Sequence, residues 1–357
     1  MKNIYLLLAI LVVTACGESN QEASQELKPN VVQGETQGTT YSIVYYDSIA
    51  TTEVLKKQVD SILHDFDMSL SNWEPASLIS ELNNSDSTSI QFDDHYNFFT
   101  EVFKRSREIF LQTNGAFDPT VSPLVNAWGF GFKNKEKMDS TKVDSLLQFV
   151  GFGYDNVRLS KTYDDALSPE RMYVKINPNT QLDFNAIAQG FSVDVVAEHM
   201  KHEGYKSFMI EIGGEVYALG LKPNNEEWRI GIDEPKENQA ERTLNSVATI
   251  SNEAIATSGN YRKFYEENGI KYAHTIDPKT GFPVRHGLLS ATVVADACWR
   301  ADAMATAFMV MGPEKSIDYM RTHTQSGLDV YFIYNDDKGE MKTYLSPGMQ
   351  KRWQKAN

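Results

Sequence analysis

The chain is short of cysteine, of basic charge and of long apolar runs, and each shortage removes a class of protein. Only Cys16 and Cys298 occur in 357 residues, so a disulfide-stapled scaffold is excluded and the fold must rest on its core. Lys and Arg total 34 against 48 Asp and Glu, giving a formal net charge of −14 and a pI near 5.0. A nucleic-acid partner needs clustered basic side chains, so that class is set aside, and an anionic ligand would need a cation beside it. The sequence also lacks G-x-x-x-x-G-K-[ST], G-x-G-x-x-G, H-E-x-x-H, G-x-S-x-G and Cys/His zinc spacing. The usual phosphate loop, hydrolase elbow and thiolate zinc sites are therefore excluded. With 41% hydrophobic and 23% charged residues, the chain can bury a sizeable core in one large domain or two subdomains.

At the N-terminus, Lys2 precedes an apolar run from Ile4 to Val13. That run is too short to cross about 30 Å of hydrocarbon and reads as a signal peptide. Val13-Thr14-Ala15-Cys16 resembles a bacterial lipobox, which implies cleavage after residue 15 and lipidation of Cys16. The alternative is an ordinary secretory signal with an incidental cysteine. Several acyl chains at about 0.8 kcal/mol per buried methylene would fix the protein to a bacterial membrane, facing the periplasm. Residues 16–33 then form a polar tether. Cys298 lies among apolar neighbours in "VVADACWRADA" and reads as a small buried hydrophobe rather than a nucleophile.

Past the tether, helical spacing marks residues 52–70, the segment "DHYNFFTEVFKRSREIFLQTNG" closed by Gly115, and residues 184–204. A final helix begins near Arg300. Strand-like alternation marks residues 39–46, the pair "SFMIEIGGEVYALG" interrupted by Gly213-Gly214, and the segments "YAHTI" and "LLSATVVA". No repeat period and no long linker interrupts this order. The expectation is an α+β fold, one compact domain over residues 34–346 with room for two lobes, and a C-terminal tail over 347–357.

Several groups suit chemistry on an anionic ligand. Asp302 and Thr306, four residues apart on a helix, project oxygens from one face and suit Mg²⁺ or Ca²⁺. Helix-end support by Asp302 with back-bonding by Thr306 is the structural alternative. The segment "TNGAFDPTVSPLVNAWGFG" fixes Asp118, Ala116 and Phe117 in turns, and Trp128, Phe130 and Phe132 offer either a wall for a planar ring or plain core. Asp183, in "LDFNAIAQG", stands at a strand-to-helix junction where it or Asn185 could cap the helix or a ligand could bind. Glu215 follows the paired glycines and faces either the site or solvent. His274 precedes the turn "IDPKTG" and is either a general base or a structural histidine.

Together, "GETQGTTY", "LSNWEPASLISELN", "TNGAFDPTVSPLVNAWGFG", "LDFNAIAQGFSVD", "IEIGGEVYALG", "IATSGNYRKFYEENGIKYAHTIDPKTGFPV" and "ADAMATAFMVMG" resemble the ApbE family of FAD:protein FMN transferases, in the family's order over nearly the whole mature chain. The resemblance implies a Mg²⁺-dependent enzyme that splits the pyrophosphate of FAD. FMN passes through a phosphoester to a Thr or Ser of an extracytoplasmic flavoprotein, and AMP leaves. It implies Asp302, Thr306 and the carbonyl of Ala186 as metal ligands. It also implies flavin or FAD contacts at Gln37, Trp73, Ala116, Phe117, Asp118, Asp183, Gln189 and Ile276, and a catalytic role for His274 beside that of Asp302.

Three positions depart from the family pattern. Ala305 stands where relatives often have another Asp, Gln37 where Met is usual, and Trp73 where Tyr is common. The first removes a possible metal ligand and the others alter the flavin surroundings. Competing functions are an FAD pyrophosphatase giving FMN and AMP, and a non-catalytic FAD-binding lipoprotein. The implied acceptor is a periplasmic domain of a membrane electron-transfer complex, with no nucleic-acid partner.

Overall fold

A computed structural model describes residues 28–131, 135–161, 171–233, 244–260, 264–267 and 270–355. The expected signal peptide, Cys16 and most of the expected tether lie outside the described residues, as does Phe132. Among the described residues no helix is long and apolar enough to cross a membrane.

The frame is an eight-stranded sheet whose strands lie side by side in chain order: Asn30–Thr36, Thr39–Tyr45, Phe208–Ile212, Glu215–Leu219, Glu253–Gly259, Leu288–Ala295, Asp329–Asn335 and Met341–Leu345. Every neighbouring pair is antiparallel. The period-2 alternation of side chains sorts these strands onto two faces. Tyr41, Ile43, Ile210, Ile212, Tyr217 and Ala254 pack under helices Thr52–Leu70 and Ala188–His202, against Leu55, Val59, Val193 and Val196. Val216, Ala218, Ile255, Val294 and Ile333 face the other way, onto Trp228, Ile232, Ala248 and Ile250 of a three-stranded sheet.

Helix Cys298–Met311 is apolar nearly all round and runs through the largest core, as such a helix must to hide every face. It packs on helix Ala188–His202 through Gly190. A β-carbon there would lie 2.5 Å from the carbonyl oxygen of Cys298 and 2.8 Å from Cβ of Asp302, so only glycine lets the two backbones approach this closely. Cys298 is fully buried, and burial pushes its thiol well above the usual range, in keeping with a packing role.

Two boundaries differ from those read in the sequence. Pairing begins at Asn30, ahead of residue 34. At the other end, residues 347–355 are no tail: helix Pro347–Arg352 buries Met349, and Trp353–Lys355 pairs with Leu244–Ile250. Arg352 forms ion pairs with Glu253 and Asp329, tying this end to the main sheet. The through-going sheet makes the described residues a single domain rather than two lobes.

Candidate functional site

One end of the main sheet gathers the turns that carry the expected site residues. The hairpin joining the first two strands turns at Gln37 (φ 52°) and Gly38 (φ 71°), left-handed at both positions as a tight two-residue hairpin requires. Next to it, Gly213 (φ 62°) and Gly214 (φ 113°) join Phe208–Ile212 to Glu215–Leu219, with the Gly213 amide donating to Thr40 O at 3.1 Å. A β-carbon at Gly213 would lie 1.8 Å from Nε2 of Gln189, so glycine is what admits the Gln189 side chain to the sheet edge. Ser258 ends the neighbouring strand at the same side.

Helix Cys298–Met311 brings the two oxygen donors to this end. The Gly190 amide donates to Oδ2 of Asp302 at 3.0 Å, and the Thr306 and Ser258 hydroxyls lie 3.3 Å apart. Asp302 is buried; desolvation raises its carboxyl well above the usual range, and the charge of Asp194 adds to the rise. Glu215 is buried too, and desolvation followed by repulsion from Asp302 raises it likewise. Asp194 accepts hydrogen bonds from the amides of Cys298 (2.9 Å) and Trp299 (2.8 Å), capping the helix that carries Asp302. Burial lifts Asp194 to about 6. Ala305 lies fully buried in the apolar core.

Residues 113–131 and 274–284 are clamped together beside this centre. Trp128 Nε1 donates to Gly281 O at 2.9 Å, and Gly281 fits against Leu124, Val143 and Leu147. Trp128 and Ile276 are consequently buried residues of one hydrophobic cluster. Phe130 meets His274 edge-on, with ring centroids 6.4 Å apart, and His274 is half-buried. Thr275 Oγ1 donates to Asn260 Oδ1 at 2.7 Å, tying the histidine segment back to the sheet.

Ala116 and Phe117 are buried, and their amides bond back to Thr113. Asp118 is buried with both oxygens engaged: Oδ1 accepts from the Thr120 amide (2.8 Å) and hydroxyl (2.5 Å), and Oδ2 accepts from the Phe152 amide (3.1 Å). This segment shapes a wall by backbone and packing. A depression of about 250 Å³ lies between Gly115, Asp118, Gly151 and Lys279, although it reaches none of Asp302, Glu215 or Gln189.

The segment around Asp183 is tied to the same wall, its amide donating to Pro119 O at 2.7 Å while its carboxylate accepts from the Asn185 amide at 2.8 Å. Burial raises the Asp183 carboxyl. Asn72 and Asn83 both donate to Leu182 O, which brings the turn carrying Trp73 alongside; Trp73 itself is 67% exposed. Ala186 precedes helix Ala188–His202 and is half-buried.

Two buried polar atoms here make no hydrogen bond among the described residues: Nε2 of Gln37 and Oε2 of Glu215. An orphan donor and an orphan acceptor at the sheet end that also holds Asp302 are what a bound anion with its cation would complete. The described residues contain no group of three or more His, Cys, Asp and Glu placed to hold a metal ion, so a cation here would draw on carboxylate, hydroxyl and carbonyl oxygens together, a hard donor set that fits Mg²⁺ or Ca²⁺. Sequence reasoning had left Glu215 undecided and had passed over Ser258, Gly190 and Asp194. The glycines were the available signal, since close approach is what Gly190 and Gly213 provide.

Fold and site thus define an antiparallel α+β domain with a buried acidic centre suited to cation-assisted work on an anionic ligand. A model of the ApbE family matches residues 37–332, and the chain belongs to that family. Among its relatives are proteins named FAD:protein FMN transferase from Vibrio cholerae, 34% identical with 97% of each chain covered, and Haemophilus influenzae, 32% identical with 93% of this chain and 94% of that one covered. The solved flavin transferase ApbE from Vibrio cholerae superposes with a TM-score of 0.77 at 31% identity, covering 91% of this chain and 99% of the other. The Thermotoga maritima ApbE protein, 23% identical, has the same fold with a TM-score of 0.76 over 91% of this chain and 99% of that one.

Proposed function

We propose that this protein is a Mg²⁺-dependent FAD:protein FMN transferase. It cleaves FAD, joins FMN through a phosphoester to a Thr or Ser of an extracytoplasmic flavoprotein, and releases AMP. The observation that carries the reading is the pairing of Asp302 and Thr306 on one buried helix face, at the sheet end where the unpartnered Gln37 Nε2 and Glu215 Oε2 also lie. The names of the relatives supply the reaction class. The lipobox-like Val13-Thr14-Ala15-Cys16 supports anchoring to a bacterial membrane, with the acceptor in a periplasmic part of an electron-transfer complex.

Asp302, the Thr306 hydroxyl and the Ala186 carbonyl would hold the ion. When bound, it offsets the pyrophosphate charge and stabilises the departing AMP. The unpartnered Gln37 amide would donate to an anionic or carbonyl oxygen of FAD, and the exposed Trp73 ring would offer it a stacking face. The His274 imidazole takes the proton of the acceptor hydroxyl as the new oxygen–phosphorus bond forms and the bond to AMP breaks. His274→Ala should then lower transfer by about 10²–10⁴-fold while FAD affinity is kept.

The test incubates the purified domain with FAD, Mg²⁺ and a Thr-containing periplasmic flavoprotein fragment, followed by intact mass and AMP release. An acceptor heavier by one FMN, with loss of the gain on chelation, is the expected result. AMP and free FMN without labelling would make the protein a pyrophosphatase; bound, uncleaved FAD would make it a carrier.

A further inference from the structure

Glu215 is absent from the ligand set above, yet its placement singles it out. It opens strand Glu215–Leu219 directly after the Gly213–Gly214 turn. Side chains alternate along a strand, and Tyr217 packs with Val193, Val196 and Cys298 while Val216 packs with Trp228 and Ile250 on the opposite face. Glu215 therefore shares the face of Tyr217 and points toward helices Ala188–His202 and Cys298–Met311, which carry Gly190 and Asp302. The same strand touches the second helix directly, through Cys298 Sγ and Val216 O at 3.7 Å.

Glu215 is 8% exposed, and its Oε2 is buried without a hydrogen bond among the described residues. The charges that act on it belong to Asp302 and Glu211, both acidic. A buried carboxylate in this setting is costly unless a cation or proton offsets it. Two carboxylates match the charge of one divalent ion in a low-dielectric interior before any phosphate arrives. We propose that Glu215 is a second carboxylate of the cation centre, set opposite Asp302 by the sheet and helping to hold the divalent ion. This rests on the reading of Asp302 and Thr306 as cation ligands.

The probe is Mn²⁺, titrated into the FAD-free protein and followed by the electron-spin resonance of the unbound ion, alongside thermal melts in chelator. The unaltered protein should take up Mn²⁺, Asp302→Asn should abolish uptake, and Glu215→Gln should weaken it by about 10–100-fold while melting at or above the parent temperature. Uptake by Glu215→Gln equal to the parent, with Asp302→Asn inactive in uptake, would overturn the role of Glu215 and leave the Asp302 reading intact. Absence of uptake by the unaltered protein up to millimolar Mn²⁺, or full uptake by Asp302→Asn, would remove the centre itself and the proposal with it. Should Glu215→Gln fail to fold, Glu215→Asp keeps the charge on a shorter stem; its affinity should fall about tenfold, and an unchanged affinity would sink the proposal.

Discussion

Asp118 and Asp302 are both buried aspartates in segments shared with the family, and they are opposites. Asp118 accepts three hydrogen bonds, from the Thr120 amide and hydroxyl and the Phe152 amide, and Arg107 adds a favourable charge. Among the described residues Asp302 accepts one, from the Gly190 amide, and the charges of Asp194 and Glu215 beside it are both acidic. The first carboxylate is satisfied by its own loop and holds that loop in shape. The second is left short of partners in a place where burial makes the shortage costly. Satisfaction by the fold marks a structural residue, and its lack marks a group waiting for a ligand.

The contrast is sharpest under substitution. Asp302→Ala should cut flavin transfer by about 10³-fold, comparable to loss of a major electrostatic contact, while the chelated protein melts no lower than the parent. Single-turnover labelling and calorimetry read the two halves separately. Asp118→Ala should do the reverse, leaving three donors unsatisfied at a cost of about 2–4 kcal/mol, or roughly 3–6 °C in melting temperature for a domain of this size. If Asp118→Ala melted like the parent and lost transfer, the contrast would fail. Gly190→Ala forces Cβ into Cys298 and Asp302 and should cost about 1–3 kcal/mol, with Mn²⁺ affinity falling as the helices separate.

The smallest effect concerns Asp194, whose carboxyl is lifted to about 6 by burial. Its folded value lies above its unfolded one, so between about pH 4 and 6 the folded state binds more protons and stability falls as pH rises. Above that window the contribution is flat. Asp194→Asn removes it, so the melting-temperature difference between parent and variant, taken in chelator, should drift against the parent from pH 4 to 6 and then stop changing.

Much of the fold was legible because its signals are local. The helix expected over residues 52–70 is Thr52–Leu70, and the strand pair around Gly213-Gly214 is Phe208–Ile212 with Glu215–Leu219. Turn chemistry at Gly115 and the order of family motifs needed no long-range information. Trp128 and Ile276 were a different matter. Trp128 read equally as ring wall or core and Ile276 as an FAD contact, and both are buried in one cluster because Val143 and Leu147 arrive from a segment that only tertiary packing brings near. The C-terminal residues read as a tail for want of a long apolar pattern, yet the buried Met349 and the Arg352 ion pairs make them part of the domain.

The sequence by itself determined the family, the elements and the four-residue spacing of Asp302 and Thr306, since helical period and motif order are properties of neighbours along the chain. Tertiary structure alone decided that Asp118 is satisfied and that Glu215 lies buried within reach of the charge of Asp302. Hydrogen-bond partners and the face a strand presents depend on residues distant in sequence, on the two-glycine turn that sets the strand's phase, and on the helix that closes over it.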